Sequence, residues 1–255
     1  MVDFKKNPGS IELKASTEEN DSRDKLKDLF LGNKIPHNQI LANLGLFLDS
    51  KHLSRILLMD HLFKLTVGVH GDVFEFGCRW GQNSSLFIAL RGIYEPFNRH
   101  KKIVAFDTFD GFPHVHKKDG SHQMMFKGAL KTIDKHENFL KDILQTQEQL
   151  NPLSHIKKFD VIKGDAIKEF PKYISKNQQT IISLAFFDFD IYEPTKELIK
   201  MIKPRLVKGS VLAFDELNDP DAPGETLALM ETLGLNNVKL KKYPYASRVS
   251  YFVIE

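Results

Sequence analysis

The chain has 255 residues, which is enough for one domain with a substantial core. Its 36 basic residues against 33 acidic ones give a formal charge of +3, far below the basic excess that proteins need to bind nucleic-acid phosphates. The single cysteine, Cys78, excludes an intramolecular disulfide and a cysteine-based zinc cluster, and no apolar run approaches the roughly 18 residues of a membrane span. We therefore expect a cytoplasmic protein without nucleic-acid or membrane partners.

The N-terminal part of the chain contains few signals for a packed core. Residues 1–21 are polar and lack apolar periodicity, which predicts an arm that is flexible or ordered only by a partner or substrate. Apolar residues return at helical spacing over 24–31 and 39–65, which predicts helices there. We assign 1–60 to an N-terminal arm with helices that serve as a lid or in oligomerisation, and 61–255 to a catalytic domain.

Short apolar strands then alternate with helical stretches, a pattern typical of a parallel sheet covered on both faces. The predicted strands are 71–76, 102–106, 159–162, 181–187 and 210–214. The predicted helices are 83–94, 136–150, 166–175, 194–203 and 224–233. Two strand-like runs at 237–243 and 248–254 have no helix between them and predict an antiparallel hairpin. The predicted fold is thus α/β, with a doubly wound, mostly parallel, seven-stranded sheet.

The loop after the first strand is a candidate cofactor site, because ligands of such sheets bind at the carboxyl ends of the strands. It reads Glu-Phe-Gly-Cys-Arg-Trp-Gly from Glu75, and two glycines allow the backbone to approach a ligand. The loop lacks the G-x-G-x-x-G fingerprint, which disfavours NAD. Glu75 is able to accept a hydrogen bond from the ammonium of a sulfonium amino acid, or to cap the neighbouring turn.

Acidic residues follow the next two strands as well. Asp107 stands where a carboxylate takes the two hydroxyls of a ribose, and Phe109 stands where a ring faces adenine. Asp165 is suited either to the adenine edge or to capping the next helix. The candidate cofactor-binding residues are Glu75, Gly77, Gly81, Ser84, Asp107, Thr108, Phe109 and Asp165.

These motifs resemble class I methyltransferases. More closely, the run 71–77 with Gly81 and the run 106–113 resemble the TylF or macrocin O-methyltransferase family, whose members methylate sugar hydroxyls. The runs 187–196, 204–209 and 214–216 resemble that family in order and spacing, so the resemblance extends from about 62 to 219. It implies S-adenosylmethionine as cofactor and is compatible with a homodimer.

A second group of acids defines the candidate acceptor site. Asp188 follows the fourth strand and Asp215 the fifth, so a single crossover brings both carboxylates to one edge of the sheet. Crowded carboxylates repel one another, and a hard cation such as Mg²⁺, Mn²⁺ or Ca²⁺ removes that cost. The resemblance implies Asp188, Asp215 and Glu216 as metal ligands, with Asp190 in reserve, although Glu216 stands where the family usually has aspartate.

The methyl acceptor has to lose a proton. Asp188 or a histidine from the long, weakly patterned segment 111–132, a candidate lid, is suited to this task. We name His114 and His116 as catalytic candidates, and His122 is also available in that segment.

The sequence predicts an O-methyltransferase acting on a sugar hydroxyl of a nucleotide-linked sugar, a polysaccharide-precursor sugar or a glycoside. Two alternatives stay open at this stage. One is a catechol-like, metal-dependent O-methyltransferase with a flat apolar acceptor slot. The other is a protein that binds S-adenosylmethionine or a nucleoside without chemistry.

Overall fold

A computed structural model describes residues 4–11 and 14–255, apart from the side chain of residue 247. The α-helices in this part of the chain are α1 (Thr17–Leu31), α2 (Ser50–Leu65), α3 (Gln82–Tyr94), α4 (His136–Gln149), α5 (Ala166–Lys176), α6 (Tyr192–Ile202) and α7 (Gly224–Thr232). The strands are β1 (Asp72–Phe76), β2 (Ile103–Asp107), β3 (Phe159–Lys163), β4 (Ile182–Phe187), β5 (Leu206–Phe214), β6 (Lys241–Tyr243) and β7 (Ala246–Val253).

The strands form one sheet in the order β3-β2-β1-β4-β5-β7-β6. The first five strands of that order are parallel, and β7 is antiparallel to both β5 and β6, so the predicted doubly wound sheet with a closing hairpin is confirmed. The strand order reverses direction between β1 and β4. Phe76 lies opposite both Phe106 and Phe187, and Phe187 lies opposite Phe214. The residues that follow these strands therefore meet at one edge, beside the switch point.

Apolar side chains cover both faces of the sheet. One face carries phenylalanines that stack across neighbouring strands, with ring centroids 6.2 Å apart for Phe74 and Phe106 and 4.8 Å apart for Phe187 and Phe214. On the other face, Val73 and its neighbours pack against α2, α3 and α4. Strands buried on both faces have continuous apolar sequences, which explains why their positions could be predicted from the sequence.

The N-terminal helices differ in how they attach to the sheet. Helix α1 buries no residue and begins at Thr17, because the Ser16 hydroxyl accepts a hydrogen bond from the Glu19 amide. Helix α2 is attached firmly, since Leu58, Met59 and their neighbours are buried in the core. The predicted helix over 39–65 is α-helical only from Ser50, where Asp49 provides the cap. The predicted domain boundary at residue 60 falls inside α2.

The segment 111–132 is anchored near its middle. Asp119 is 1% exposed and accepts hydrogen bonds from the amides of His116 and Tyr192, the second of which begins α6. The ammonium of Lys118 donates to the Tyr192 hydroxyl, 3.1 Å away. The candidate lid is therefore fixed to α6 at this point.

A buried charge network lies at the opposite end of the sheet from the predicted site. Arg91 on α3 pairs with Glu148 on α4 and donates to the carbonyl oxygens of Lys101 and Lys158. The Lys158 ammonium lies 2.7 Å from the Glu148 carboxylate. Glu148 thus balances two buried cations and joins two helices to the starts of two strands.

In the described part of the chain, no helix has both the length and the apolarity needed to cross a bilayer.

Candidate active site

A cavity of about 670 Å³ opens at the carboxyl ends of the strands. This volume lies in the range of small-molecule sites in proteins. The cavity reaches from the loops after β1, β2 and β3 to those after β4 and β5, with an outer rim formed in part by the N-terminal segment. It therefore has room for a cofactor and a second molecule side by side.

The loop after β1 requires glycine. Gly77 has φ +93°, and a Cβ atom there would lie 2.0 Å from the carbonyl oxygen of Asp188. The loop after β1 therefore touches the loop after β4 directly, with no space for a side chain between them. Gly77 lines the cavity, whereas Gly81 lies beneath it as the N-cap of α3.

Glu75 lies below the cavity floor and not among its lining residues. Its side chain accepts hydrogen bonds from the Asn83 amide, 2.8 Å away, and from the Ser84 hydroxyl. Burial raises the pKa of Glu75 to about 7. Of its two predicted roles, the geometry favours holding the first turn of α3, and Ser84 acts in the same contact.

Asp107 lines the cavity, as expected for a residue that binds ribose hydroxyls. One carboxylate oxygen accepts a hydrogen bond from the Arg79 amide at 2.7 Å, and the other accepts one from the Phe109 amide at 2.6 Å. A carboxylate has about four acceptor positions, so both oxygens retain capacity for a ligand. Burial raises the pKa of Asp107, and the two amide hydrogen bonds oppose that rise.

The other predicted cofactor residues divide into two groups. Thr108 and Asp165 line the cavity, and Asp165 also caps α5 through the Ile167 amide, so its two predicted roles coexist. Phe109 is 2% exposed, has φ +58°, and packs beside His136 in the core. Its ring does not line the cavity.

Six carboxylates line the part of the cavity formed by the loops after β4 and β5. These residues are Asp188, Asp190, Asp215, Glu216, Asp219 and Asp221. Behind them, the buried Glu225 of α7 accepts hydrogen bonds from the amides of Phe189 and Glu216, both at 3.2 Å. Burial and like-charged neighbours raise the pKa values of Asp188 and Asp190 well above the ordinary range.

Two arginines form ion pairs with the carboxylates of this cluster. Arg55 of α2 donates to Asp215 and, at 3.0 Å, to Asp188. Arg248 of β7 pairs with Glu216 and lies 3.4 Å from the Asp219 carboxylate. Within residues 4–11 and 14–255, no three His, Cys, Asp or Glu side chains form a group able to hold a metal ion.

The arrangement of these donors does not fit the predicted metal site. Carboxylate oxygens of the kind that Mg²⁺ prefers are present. Those of Asp188, Asp215 and Glu216, however, already form ion pairs with arginine guanidinium groups. One buried oxygen, Oε2 of Glu216, has no hydrogen-bond partner in the part of the chain described. Besides this oxygen, the Asp190 carboxylate also lacks a side-chain partner, but two residues do not make up the group of three ligands that a metal ion needs, and no such group occurs in the described residues.

The three histidines of the segment 111–132 lie in different surroundings. His114 bonds the Glu193 carboxylate at 2.6 Å, and the ring of His116 packs on Tyr192. Neither lines the cavity, whereas His122 does.

The N-terminal segment borders the cavity. The Pro8 carbonyl oxygen accepts a hydrogen bond from the Leu130 amide at 2.6 Å, and that of Gly9 accepts one from the Arg79 guanidinium at 2.7 Å. Lys14 pairs with Asp221 at the rim. The described part of the predicted arm is therefore in contact with the loop after β1 and with the segment 111–132.

Several site residues could not be found in the sequence. Arg55 and Arg248 lie on elements outside the strand ends, and nothing in their local sequence distinguishes them from surface arginines. Asn83 links Arg55 to the buried Glu75, since its side chain donates to Glu75 and accepts from Arg55 at 3.3 Å. Its only local signal was its place at the start of α3.

The fold and the site together define a doubly wound α/β protein whose cavity opens at the carboxyl ends of the strands and is lined by several carboxylates. Among solved structures, the chain is similar to CalS11, a calicheamicin methyltransferase, with 37% identity, a TM-score of 0.92 and 94% of each chain covered. A second, apo structure of CalS11 is described as a TDP-rhamnose 3'-O-methyltransferase in calicheamicin biosynthesis. It gives 35% identity over 94% of this chain and 96% of that one, with a TM-score of 0.84.

The O-methyltransferase NovP shares the fold alone, with 15% identity, a TM-score of 0.56, and 79% of this chain and 80% of NovP covered. Neither protein-family models nor curated protein sequences match the chain. The two CalS11 structures nevertheless show the family. The chain belongs to the class I O-methyltransferases that depend on S-adenosylmethionine.

Proposed function

We propose that this enzyme transfers the methyl group of S-adenosylmethionine to a hydroxyl group of a nucleotide-linked sugar. The similarity to CalS11 over 94% of both chains carries the proposal, because the substrate named for that protein is TDP-rhamnose. The cavity agrees with it, since carboxylates and cations line the acceptor side, as suits a polyhydroxylated molecule. Apolar side chains such as Met124, Met125 and Phe189 also line the cavity, so the similarity to CalS11, and not the lining, is what favours a sugar over a catechol.

The cofactor occupies the half of the cavity formed by Gly77, Asp107 and Asp165 in this proposal. Asp107 takes the ribose hydroxyls with the lone pairs that its two amide hydrogen bonds leave free. S-adenosylmethionine bound there would supply an electrophilic methyl group. Transfer of that methyl to the sugar hydroxyl would give a methyl ether and S-adenosylhomocysteine, and it would release one proton that a protein side chain has to accept.

We propose that Asp190 is the general base that accepts the proton of the sugar hydroxyl. Asp188, one of the residues suggested for this role by the sequence, is already engaged by Arg55, and His114 and His116 lie outside the cavity wall. Asp190 lines the cavity, and its carboxylate has no hydrogen bond or ion pair with another side chain of the described segments. The metal assistance implied by the family resemblance is not part of this mechanism.

A nucleotide-linked sugar carries a diphosphate, and the rim offers a cation for it. Lys51, in the first turn of α2, is exposed, lines the cavity and forms no ion pair with other described residues. Its charge and the nearby helix N-terminus both favour an anion. Lys51 is the residue that we expect to distinguish a nucleotide-linked sugar from a free one.

The test is a methyl-transfer assay with S-adenosylmethionine and three acceptor panels: TDP-linked deoxysugars, the matching free glycosides, and catechols. We expect mass spectrometry to detect a methylated TDP-sugar with wild type and none with Asp190→Asn. Lys51→Ala should raise KM for the TDP-sugar at least about tenfold, as loss of one charge-assisted contact implies, whereas the exposed Lys176→Ala should not. Methylation confined to catechols would contradict the proposal.

A further inference from the structure

We infer that the Arg55 guanidinium, and not a divalent metal ion, is the cation that holds Asp188 and Asp215 in the acceptor site. The inference concerns the site of the proposed function, but the experiment that tests it needs no sugar acceptor. It assigns to α2, which lies outside the sheet, a positioning role in the active site.

All three nitrogens of the guanidinium are engaged. Nη1 donates to Asp215, Nη2 donates to Asp188 at 3.0 Å, and Nε donates to the Asn83 side-chain oxygen at 3.3 Å. Asn83 is itself buried and fixed by its bond to Glu75. The planar fork of arginine fits two separate carboxylates, which the ammonium of a lysine does less well.

Packing restrains the side chain as well. The guanidinium carbon lies 5.2 Å from the ring centroid of Phe186, on the strand that ends at the acid cluster. The helix that carries Arg55 cannot withdraw easily, because Leu58, Met59 and Leu62 are buried in the core. The guanidinium is thus restrained both by the anchored helix α2 that carries it and by its contact with Phe186 of the sheet.

A divalent ion at this site would have to use the same oxygens. It would compete with a cation that is tethered to the protein and therefore present at a high effective concentration. The pattern repeats at the rim, where Arg248 pairs with Glu216 and Asp219. The three carboxylates that the sequence offers first as metal ligands, Asp188, Asp215 and Glu216, are therefore each paired with an arginine, and of these candidates only the reserve ligand Asp190 has no arginine partner in the described segments.

The probe is Mn²⁺ alone, followed by electron paramagnetic resonance on the full chain with S-adenosylhomocysteine present. We expect wild type and the exposed Arg99→Gln to bind no stoichiometric Mn²⁺ at micromolar concentration. Arg55→Gln should bind about one ion per chain at least about tenfold more tightly than wild type, because the tethered competitor is gone. Arg55→Lys, which retains a point charge, should give an intermediate affinity.

Two results would overturn the inference. One is stoichiometric micromolar binding of Mn²⁺ by wild type that is lost in Asp188→Asn and Asp215→Asn. The other is a folded Arg55→Gln, checked by circular dichroism, that gains no affinity for Mn²⁺. If Arg55→Gln does not fold, the wild-type titration and Arg55→Lys decide the question. A failure of the sugar assay would leave all these readings unaffected, so the two proposals fail separately.

Discussion

Glu75→Gln should change how stability depends on pH. The Glu75 carboxyl is 1% exposed, and burial raises its pKa from 4.5 to about 7. Between these values the folded chain binds more protons than the unfolded chain, so the free energy of unfolding falls as pH rises. The difference in pKa corresponds to about 3 kcal/mol in total, most of it lost between about pH 5 and about pH 8. Glutamine does not titrate and removes this loss.

The assay is urea denaturation of wild type and Glu75→Gln at a series of pH values, without cofactor. The free energy of unfolding of the variant minus that of wild type should rise by about 2 to 3 kcal/mol from about pH 5 to about pH 8. Other titrating groups cancel in this difference. The exposed Glu255→Gln serves as control and should give a flat difference. A flat difference for Glu75→Gln as well would refute the reasoning that this carboxyl is neutral in the fold below neutral pH.

Three further outcomes are expected. Gly77→Ala should abolish S-adenosylhomocysteine binding in calorimetry or prevent folding, because its Cβ would lie 2.0 Å from a backbone oxygen. Gly45→Ala, with no atom within 4 Å of the added carbon, should bind normally. Asp107→Ala should weaken calorimetric binding of S-adenosylhomocysteine at least about tenfold through lost charge-assisted hydrogen bonds, and unchanged affinity would contradict the ribose assignment. Glu148→Gln should lower the free energy of unfolding by about 3 to 5 kcal/mol, since two buried cations lose their counter-ion, and an unchanged urea midpoint would contradict this.

The parallel sheet could be predicted from sequence because its strands are buried on both faces and have distinct apolar runs. Errors remained at the edges of elements. Strand β5 begins at Leu206, four residues before the predicted start. Its first four residues are less buried than its end, so they lack the apolar run on which the prediction relied. Strand β6 is shorter than predicted and begins at Lys241, since Gly234 with φ +76° leads into a short turn of 3₁₀ helix over Leu235–Asn237.

The acids of the site were predictable for a similar reason. Parallel strands end at one edge, so a carboxylate at the end of a strand or just after it lies near the others, as Asp107, Asp188 and Asp215 do around one cavity. Which way a side chain points was harder to predict. Glu75 precedes the strand end by one residue, and the alternation of the strand turns it beneath α3, away from the cavity.

The arginines of the site could not be predicted from local sequence patterns, because their positions depend on contacts between distant parts of the chain. Arg55 is separated from Asp188 by 133 positions and from Asp215 by 160. On its own helix it looks like any half-exposed arginine beside an apolar stripe. Only the packing of α2 against the sheet places it over the acid cluster, and this packing depends on the whole core.

The position of Arg55 has a consequence for how such enzymes can diverge. The helices before the sheet resemble an accessory unit that evolution could exchange freely, yet α2 supplies a charge that two carboxylates of the sheet share. A recombination that replaced residues before 61 while keeping the rest would inherit both acids without their counter-ion. Such a hybrid should keep Asp188 and Asp215 paired only if its new segment places an arginine at the same point above the sheet.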